Sequence, residues 1–276
     1  MAWQLTEDVE TFHATAGRFL RARPIEHTNL LTMVEALRHD LRSYGPEAPI
    51  FGWWSTPAGQ VAGVLMQTPP YPVIFSELPT PAVPAAVLAL SGRPLPGANL
   101  PASAVDGFSA GWRSRARVRA HVVRRTRLYR LATLVLPPTP PPGSARYAGP
   151  DDRELLRGWL RAFHDEIGER RSDDPDRFLA YGGILLWDDG RSPVSMAIRS
   201  QPAVDTVRIQ AVYTPPVQRG RGYAGAVTIA ATQAALGSGA ESVVLNTDLA
   251  NPTSNALYQR LGFRPVEDRV IVEFTA

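Results

Sequence analysis

The sequence predicts a mixed α/β protein built as two halves, and three observations carry that prediction. A proline-rich break, Pro137-Pro138-Thr139-Pro140-Pro141-Pro142-Gly143-Ser144, divides the 276 residues near the middle. The half after it alternates helical stretches with strand-like runs in the order ααβββαβαβ. The half before it opens the same way, with two amphipathic helices and then strands. Each half has room for its own core. Each is expected to hold a mixed, mostly antiparallel sheet flanked by helices, because the helices are too sparse for a doubly wound sheet. The expected division is 1–136, a linker over 137–144, and 145–276.

In the first half, Phe12, Thr15, Ala16 and Phe19 share one helical face, and a second helix starts near Pro24 with Leu30, Leu31, Val34, Leu37 and Leu41 at helical spacing. Strand-like runs follow at Ile50–Thr56 and Val61–Gln67, divided by the turn Pro57-Ala58-Gly59. Proline is dense from Pro69 to Pro101; short helices are expected at Val83–Leu90 and Ala102–Trp112, then a strand pair within Arg117–Leu136. The linker prolines cannot continue a helix or a central strand and favour a stiff extended spacer.

The second half is clearer. Asp151 with Glu154 three residues on marks a helix start, and Leu155, Leu156, Trp159, Leu160 and Phe163 form that helix's apolar face. A short helix is expected at Arg177–Tyr181, then strands at Gly183–Asp188, Pro193–Arg199 and Val204–Tyr213, with turns at Asp189-Gly190 and Gln201-Pro202. A helix of small residues over Gly222–Leu236 ends at Gly237 and Gly239. A strand at Ser242–Thr247, a helix at Pro252–Leu261 and a strand at Pro265–Phe274 complete the order.

Composition removes several function classes. There is no cysteine, so no disulfide, thiolate metal site or cysteine acyl-enzyme is available, which fits a cytoplasmic protein; no metal is expected. All 29 basic residues are arginine, so no lysine can serve as a base. A net charge of +3 is small for a nucleic-acid binder, and none is expected as partner. No apolar run is long enough for a membrane span, and Glu7, Asp8 and Glu10 stand where a secretory signal would carry positive charge. The eight arginines between Arg113 and Arg130 read as a solvated strand, an acidic-acceptor contact or an RNA contact, with aromatic interleaving too thin for a stacking platform. Trp53-Trp54 reads as a pocket wall or as core.

The strand ending at Tyr213 leads through Thr214-Pro215-Pro216 to Gln218-Arg219-Gly220-Arg221-Gly222-Tyr223-Ala224 and directly into a helix. A helix start offers unpaired N–H groups and a partial positive charge, and Gly220 and Gly222 let a pyrophosphate approach closely. Arg219 and Arg221 can add charge-assisted contacts. The spacing fits neither a P-loop nor a dinucleotide fingerprint. Taken alone, the segment is an anion site or only a turn. Pro215 and Pro216 lack N–H groups, so this strand is expected to part from its neighbour there.

Arg219-Gly220-Arg221-Gly222-Tyr223-Ala224 resembles the R/Q-x-x-G-x-G/A signature of the GNAT superfamily of N-acetyltransferases. Asn251-Pro252-Thr253-Ser254-Asn255-Ala256-Leu257-Tyr258-Gln259-Arg260-Leu261-Gly262-Phe263 resembles its N-x-x-A-x-x-L-Y-x-x-x-G-F segment, with Ser254 in place of alanine. The resemblance covers about Ala145–Ala276. It implies acetyl-CoA as co-substrate, lying between the strands that end at Tyr213 and Thr247. Main-chain groups of Val212, Tyr213 and Thr214 would hold the pantetheine arm, Arg219 to Ala224 the pyrophosphate, and Asn251 a further coenzyme contact. Tyr258 matches the family's general acid; a phenol of pKa about 10 is about 2 kcal/mol uphill of protonating a thiolate of pKa about 8.5. Tyr258 as a packing residue is the alternative. For the base, Glu166 and Glu169 border the acceptor region by the same resemblance, with His164, Asp165 or a water chain as alternatives. The first half lacks both motifs, and is read as a degenerate GNAT-like domain that shapes the acceptor pocket or an interface.

The expected activity is direct acetyl transfer to a primary amine, carried by a small molecule or peptide. A mycothiol-synthase-like tandem enzyme and a non-catalytic acyl-CoA-binding regulatory module are the alternatives. Tandem aminoacyl-tRNA-dependent ligases lack the pyrophosphate loop. A homodimer is one assembly left open.

Overall fold

The computed structural model describes residues 2–169 and 172–276. The chain begins with β1 (Ala2–Thr6), α1 (Val9–Arg21), α2 (Thr28–His39), β2 (Ile50–Ser55), β3 (Val61–Gln67), β4 (Val73–Phe75), α3 (Ala82–Ala89), β5 (Gly97–Pro101), α4 (Val105–Ala116) and β6 (Arg119–Leu131). It continues with β7 (Ser144–Tyr147), α5 (Arg153–Ile167), α6 (Asp176–Leu179), β8 (Ile184–Asp188), β9 (Pro193–Arg199) and β10 (Thr206–Tyr213). Last come α7 (Tyr223–Gly237), β11 (Ser242–Asp248), α8 (Pro252–Arg260) and β12 (Phe263–Thr275). The succession βααβββαβαβ thus occurs twice.

Two compact units divide the chain, and they are not consecutive in sequence. The first holds residues up to Leu128 together with Thr247–Pro252 and Pro265–Ala276; the second holds Tyr129–Asn246 and Thr253–Arg264. This differs from a cut at the prolines because of where the last strands bury their side chains. Tyr129 of β6 is fully buried in the second unit's core. Val270, Val272 and Phe274 of β12 bury in the first, where the Phe274 ring lies 6.0 Å from Trp112. Local patterning reveals that a strand is apolar, but not which core it serves. The prolines are not a free spacer either: Trp187 Nε1 donates to Pro142 O at 3.0 Å, and Gly143 sits so close to Asp188 that a Cβ would overlap its carbonyl. Strand β7 already begins at Ser144.

In the first unit the strand order is β1-β2-β3-β4-β5-β12-β6. Strands β1 to β4 pair antiparallel, β4 and β5 pair parallel, and β5 and β12 pair antiparallel. Asp8 starts α1 by accepting from Glu10 N at 2.9 Å and from the Thr11 hydroxyl at 2.6 Å. The stripe Val9, Phe12, Ala16 and Leu20 is buried, with Phe12 stacked on Phe51 of β2 at 5.1 Å. Strands β1, β4 and β5 have no counterpart in the sequence expectations: each is short, and β4 and β5 lie among prolines. The expected strand pair within 117–136 is the single strand β6. Its arginines are partly neutralised, Arg127 by Asp268 at 2.6 Å and Arg124 by Asp248 at 3.6 Å. Both Trp53 and Trp54 are buried.

In the second unit β7-β8-β9-β10 pair antiparallel and β11 joins β10 in parallel. The period of two sorts side chains to two faces. Leu185, Ala197, Val207 and Ile209 pack with Val227, Ala231 and Ala235 of α7. Ile184, Leu186, Met196 and Ile198 pack with Leu156 and Leu160 of α5. Each such Leu or Ile contributes about 1.5–3 kcal/mol by leaving water. No helix among the described residues is long and apolar enough to cross a membrane.

Candidate active site

The second unit's parallel strand pair opens partway along. Pairing of β10 with β11 runs from Thr206↔Ser242 to Ile209↔Leu245, yet β10 continues to Tyr213. The cause is Ala211, whose φ of 46° makes a bulge between Gln210 and Tyr213 in the pairing with β9. One extra residue reverses the alternation. Val212 therefore joins the α7 side with Ile209, while Tyr213 turns to the α5 side. The parting thus begins ahead of Pro215 and Pro216, where the sequence had placed it. Those prolines instead shape the short 3-10 turn Pro216–Gln218. Ser195 of β9 fixes the strand end, donating to Tyr213 O at 3.0 Å and lying 2.8 Å from the Thr214 hydroxyl. It carried no motif and was not anticipated.

The turn after β10 delivers unpaired donors. Gly220 and Gly222 have φ of 77° and 85°, a region costly for any residue with a Cβ. Gly222 is the cap of α7, and the first helical bond is Ala226 N to Gly222 O at 3.0 Å. The N–H groups of Tyr223, Ala224 and Gly225 find no acceptor among the described residues. They point along the positive end of a 15-residue helix. An anion such as a pyrophosphate matches this cradle in charge and in hydrogen-bond type. Arg221 is exposed beside it. Arg219 is spent elsewhere: its Nε donates to Thr214 O at 2.9 Å and its Nη2 to both Glu166 oxygens at 2.6 and 2.8 Å. It braces the turn.

Glu166, the residue expected as base, sits at the predicted end of α5 but its carboxylate is engaged by Arg219. Burial, with the nearby Glu166 charge, raises the Tyr213 pKa, which Arg219 partly offsets. Tyr258 on α8 is buried against Phe263, its ring 6.2 Å away, and its hydroxyl has no partner among the described residues. Burial pushes its pKa up to about 12. That is about 3.5 units above a free thiol, or about 5 kcal/mol, rather than the smaller gap of an ordinary phenol. The same dry surroundings disfavour a leaving thiolate and narrow the difference. Asn251 lies in the 247–252 segment of the first unit, its N–H on Asp248 O at 3.1 Å. A network missed by the sequence reading ties the second unit's core together, with Tyr129 donating to Asn255 Oδ1 at 2.9 Å and Gln259 Nε2 donating to the Tyr129 hydroxyl at 3.2 Å. Among the described residues no group of His, Asp and Glu is placed to hold a metal ion.

Residues 147–263 match the model of the acetyltransferase (GNAT) family. This part of the chain is a GNAT acetyltransferase domain. No curated protein matches the chain. Solved structures similar to the whole chain include a GCN5-related N-acetyltransferase from Sphaerobacter thermophilus, 16% identical with TM-score 0.62, covering 98% of this chain and 94% of that one. A Drosophila protein is 12% identical with TM-score 0.70, covering 99% and 98%. A tandem GNAT protein from the clavulanic acid biosynthesis pathway is 13% identical with TM-score 0.56, covering 99% and 98%. At these identities the likeness is one of fold. The protein is an acyltransferase of tandem GNAT architecture, with the signature-bearing acetyltransferase domain second.

Proposed function

We propose that the second unit transfers acetyl from acetyl-CoA directly to a primary amine of a small molecule or peptide. The observation that carries this is the opened β10 edge running into the Gly220–Ala224 turn, where backbone groups that could hold an extended arm precede a seat for its phosphates. Val212 to Thr214 would bind the arm through main-chain groups. Gly220, Gly222, Tyr223 and Ala224 would bind the pyrophosphate through N–H groups, with Arg221 adding charge. Arg219 positions the turn. Tyr258 would give its proton to the departing sulfur.

The first unit is proposed as a degenerate partner that takes no coenzyme. Isothermal titration should find one acetyl-CoA per chain; no binding would overturn the reading. Tyr258→Phe should lower enzyme-dependent CoA release by about 100-fold while CoA affinity stays within about two-fold. Unchanged release would remove the acid role.

A further inference from the structure

The proposed reaction needs an acceptor for the ammonium proton, and the carboxylate at the expected place is tied to a guanidinium. One turn of α5 holds another candidate. His164 is the third member of the buried stripe Leu156, Leu160 and His164, and its Nδ1 lies 2.8 Å from Asp173 Oδ1 in the loop after α5. A carboxylate only accepts, so Nδ1 carries the hydrogen and the neutral ring's lone pair is on Nε2. Nε2 has no protein partner among the described residues and is not among the buried orphaned atoms, so it opens to solvent. The stripe packs on the cluster that includes Tyr213, the residue at the opened end of β10. Glu166, two residues on, reaches Arg219 and through it Thr214. That end of α5 therefore borders the proposed acetyl seat.

The geometry points to His164 as the proton acceptor for the amine, with Asp173 as its positioning residue. This rests on the proposed acetyl transfer. The ammonium gives one proton to Nε2, and Asp173 stabilises the resulting imidazolium. The freed lone pair forms the N–C bond and the C–S bond breaks. The sulfur takes the Tyr258 proton, while the nitrogen's second proton passes through solvent to restore Tyr258. The imidazolium releases its proton to solvent, so the net products are amide, free CoA and one proton. Charged groups facing His164 are Asp173 and, beside Asp173 at 3.4 Å, Arg161 of its own helix. The strand residues beneath, Ile184, Leu186, Met196 and Ile198, are apolar.

The test measures CoA thiol release from acetyl-CoA against pH, with benzylamine, spermidine or water as nucleophile, alongside CoA titration calorimetry. His164→Ala should lose about 100-fold in kcat/KM and the acid limb of the profile, with CoA affinity unchanged. Asp173→Asn removes the charge that favours the imidazolium, so its acid limb should move to lower pH. A uniform loss at all pH values with the limb in place overturns the assignment, as does unchanged turnover. Absence of CoA binding overturns the transfer reading itself. CoA binding without release at any pH overturns both.

Discussion

Each unit contains one parallel strand pair followed by a helix, and the two pairs are finished in opposite ways. In the second unit β10 leaves β11 at the Ala211 bulge, and the loop ahead of α7 presents free N–H groups. In the first, β4 and β5 pair only through Val73↔Ala98 and Ile74↔Asn99. Beyond them Pro101 has no N–H to offer, and the Arg269 guanidinium of β12 takes the place of a partner. It donates to Phe75 O, to Asn99 O at 3.1 Å and to Asn99 Oδ1 at 2.9 Å, with Glu267 at 3.0 Å. Arg269 is only 7% exposed, and burial lowers its pKa while the Glu267 charge opposes that. At the head of α3, Ala82 N and Val83 N are already bonded to Pro79 O and Thr80 O, and Pro81 and Pro84 have no N–H. The same topology thus yields one open edge with donors and one closed edge without them. Side-chain chemistry, not fold, decides which half can hold a phosphate-bearing ligand.

The comparison breaks most visibly at Arg269. Arg269→Ala leaves Phe75 O, Asn99 and the Glu267 carboxylate without their donor, so urea unfolding should show a loss of about 3–5 kcal/mol. CoA stoichiometry in Arg269→Ala should stay at one per chain, because α3 still lacks free donors; a stoichiometry of two would mean that the guanidinium alone closes the first unit. Next in size is Gly222→Val. It puts a β-branched residue at φ 85° and a side chain beside the donors. Strain of about 1–3 kcal/mol together with lost N–H contacts should weaken CoA binding by about 100-fold in calorimetry, with β4, β5 and α3 unaffected.

Much of this contrast was legible in the sequence, and the remainder shows what one-dimensional patterns lack. The glycine turn, its helix and Tyr258 were readable because they depend on residue types at short spacing. The bulge at Ala211 was not, since alanine gives no signal for a positive φ and the visible prolines drew the parting too far along. Strands β4 and β5 were hidden by proline density, although their few paired residues suffice for a parallel contact. The role of Arg269 was invisible for another reason: it lies 170 residues from Asn99 and 194 from Phe75, and no local pattern encodes such a bond. For the same reason Glu166 was readable as an acid near the acceptor region but not as the partner of Arg219.

Glu166→Gln gives the smallest expected effect and divides the two readings of the second unit's α5 end. Both partners of the Glu166–Arg219 pair are well exposed, at 42% and 47% of their side-chain surface. Such a pair contributes about 0–1 kcal/mol. Arg219 keeps its bond to Thr214 O, so the turn should hold and CoA affinity should fall by at most about five-fold. If Glu166 only braces Arg219, CoA release at saturating acetyl-CoA should also stay within about five-fold, because glutamine can still accept from the guanidinium. If Glu166 takes the amine proton, glutamine cannot, and release should fall by about 100-fold or more while affinity barely changes. The second outcome would displace His164 and restore the carboxylate as base. The first would leave the difference between the two strand pairs resting on backbone donors and the brace that holds them.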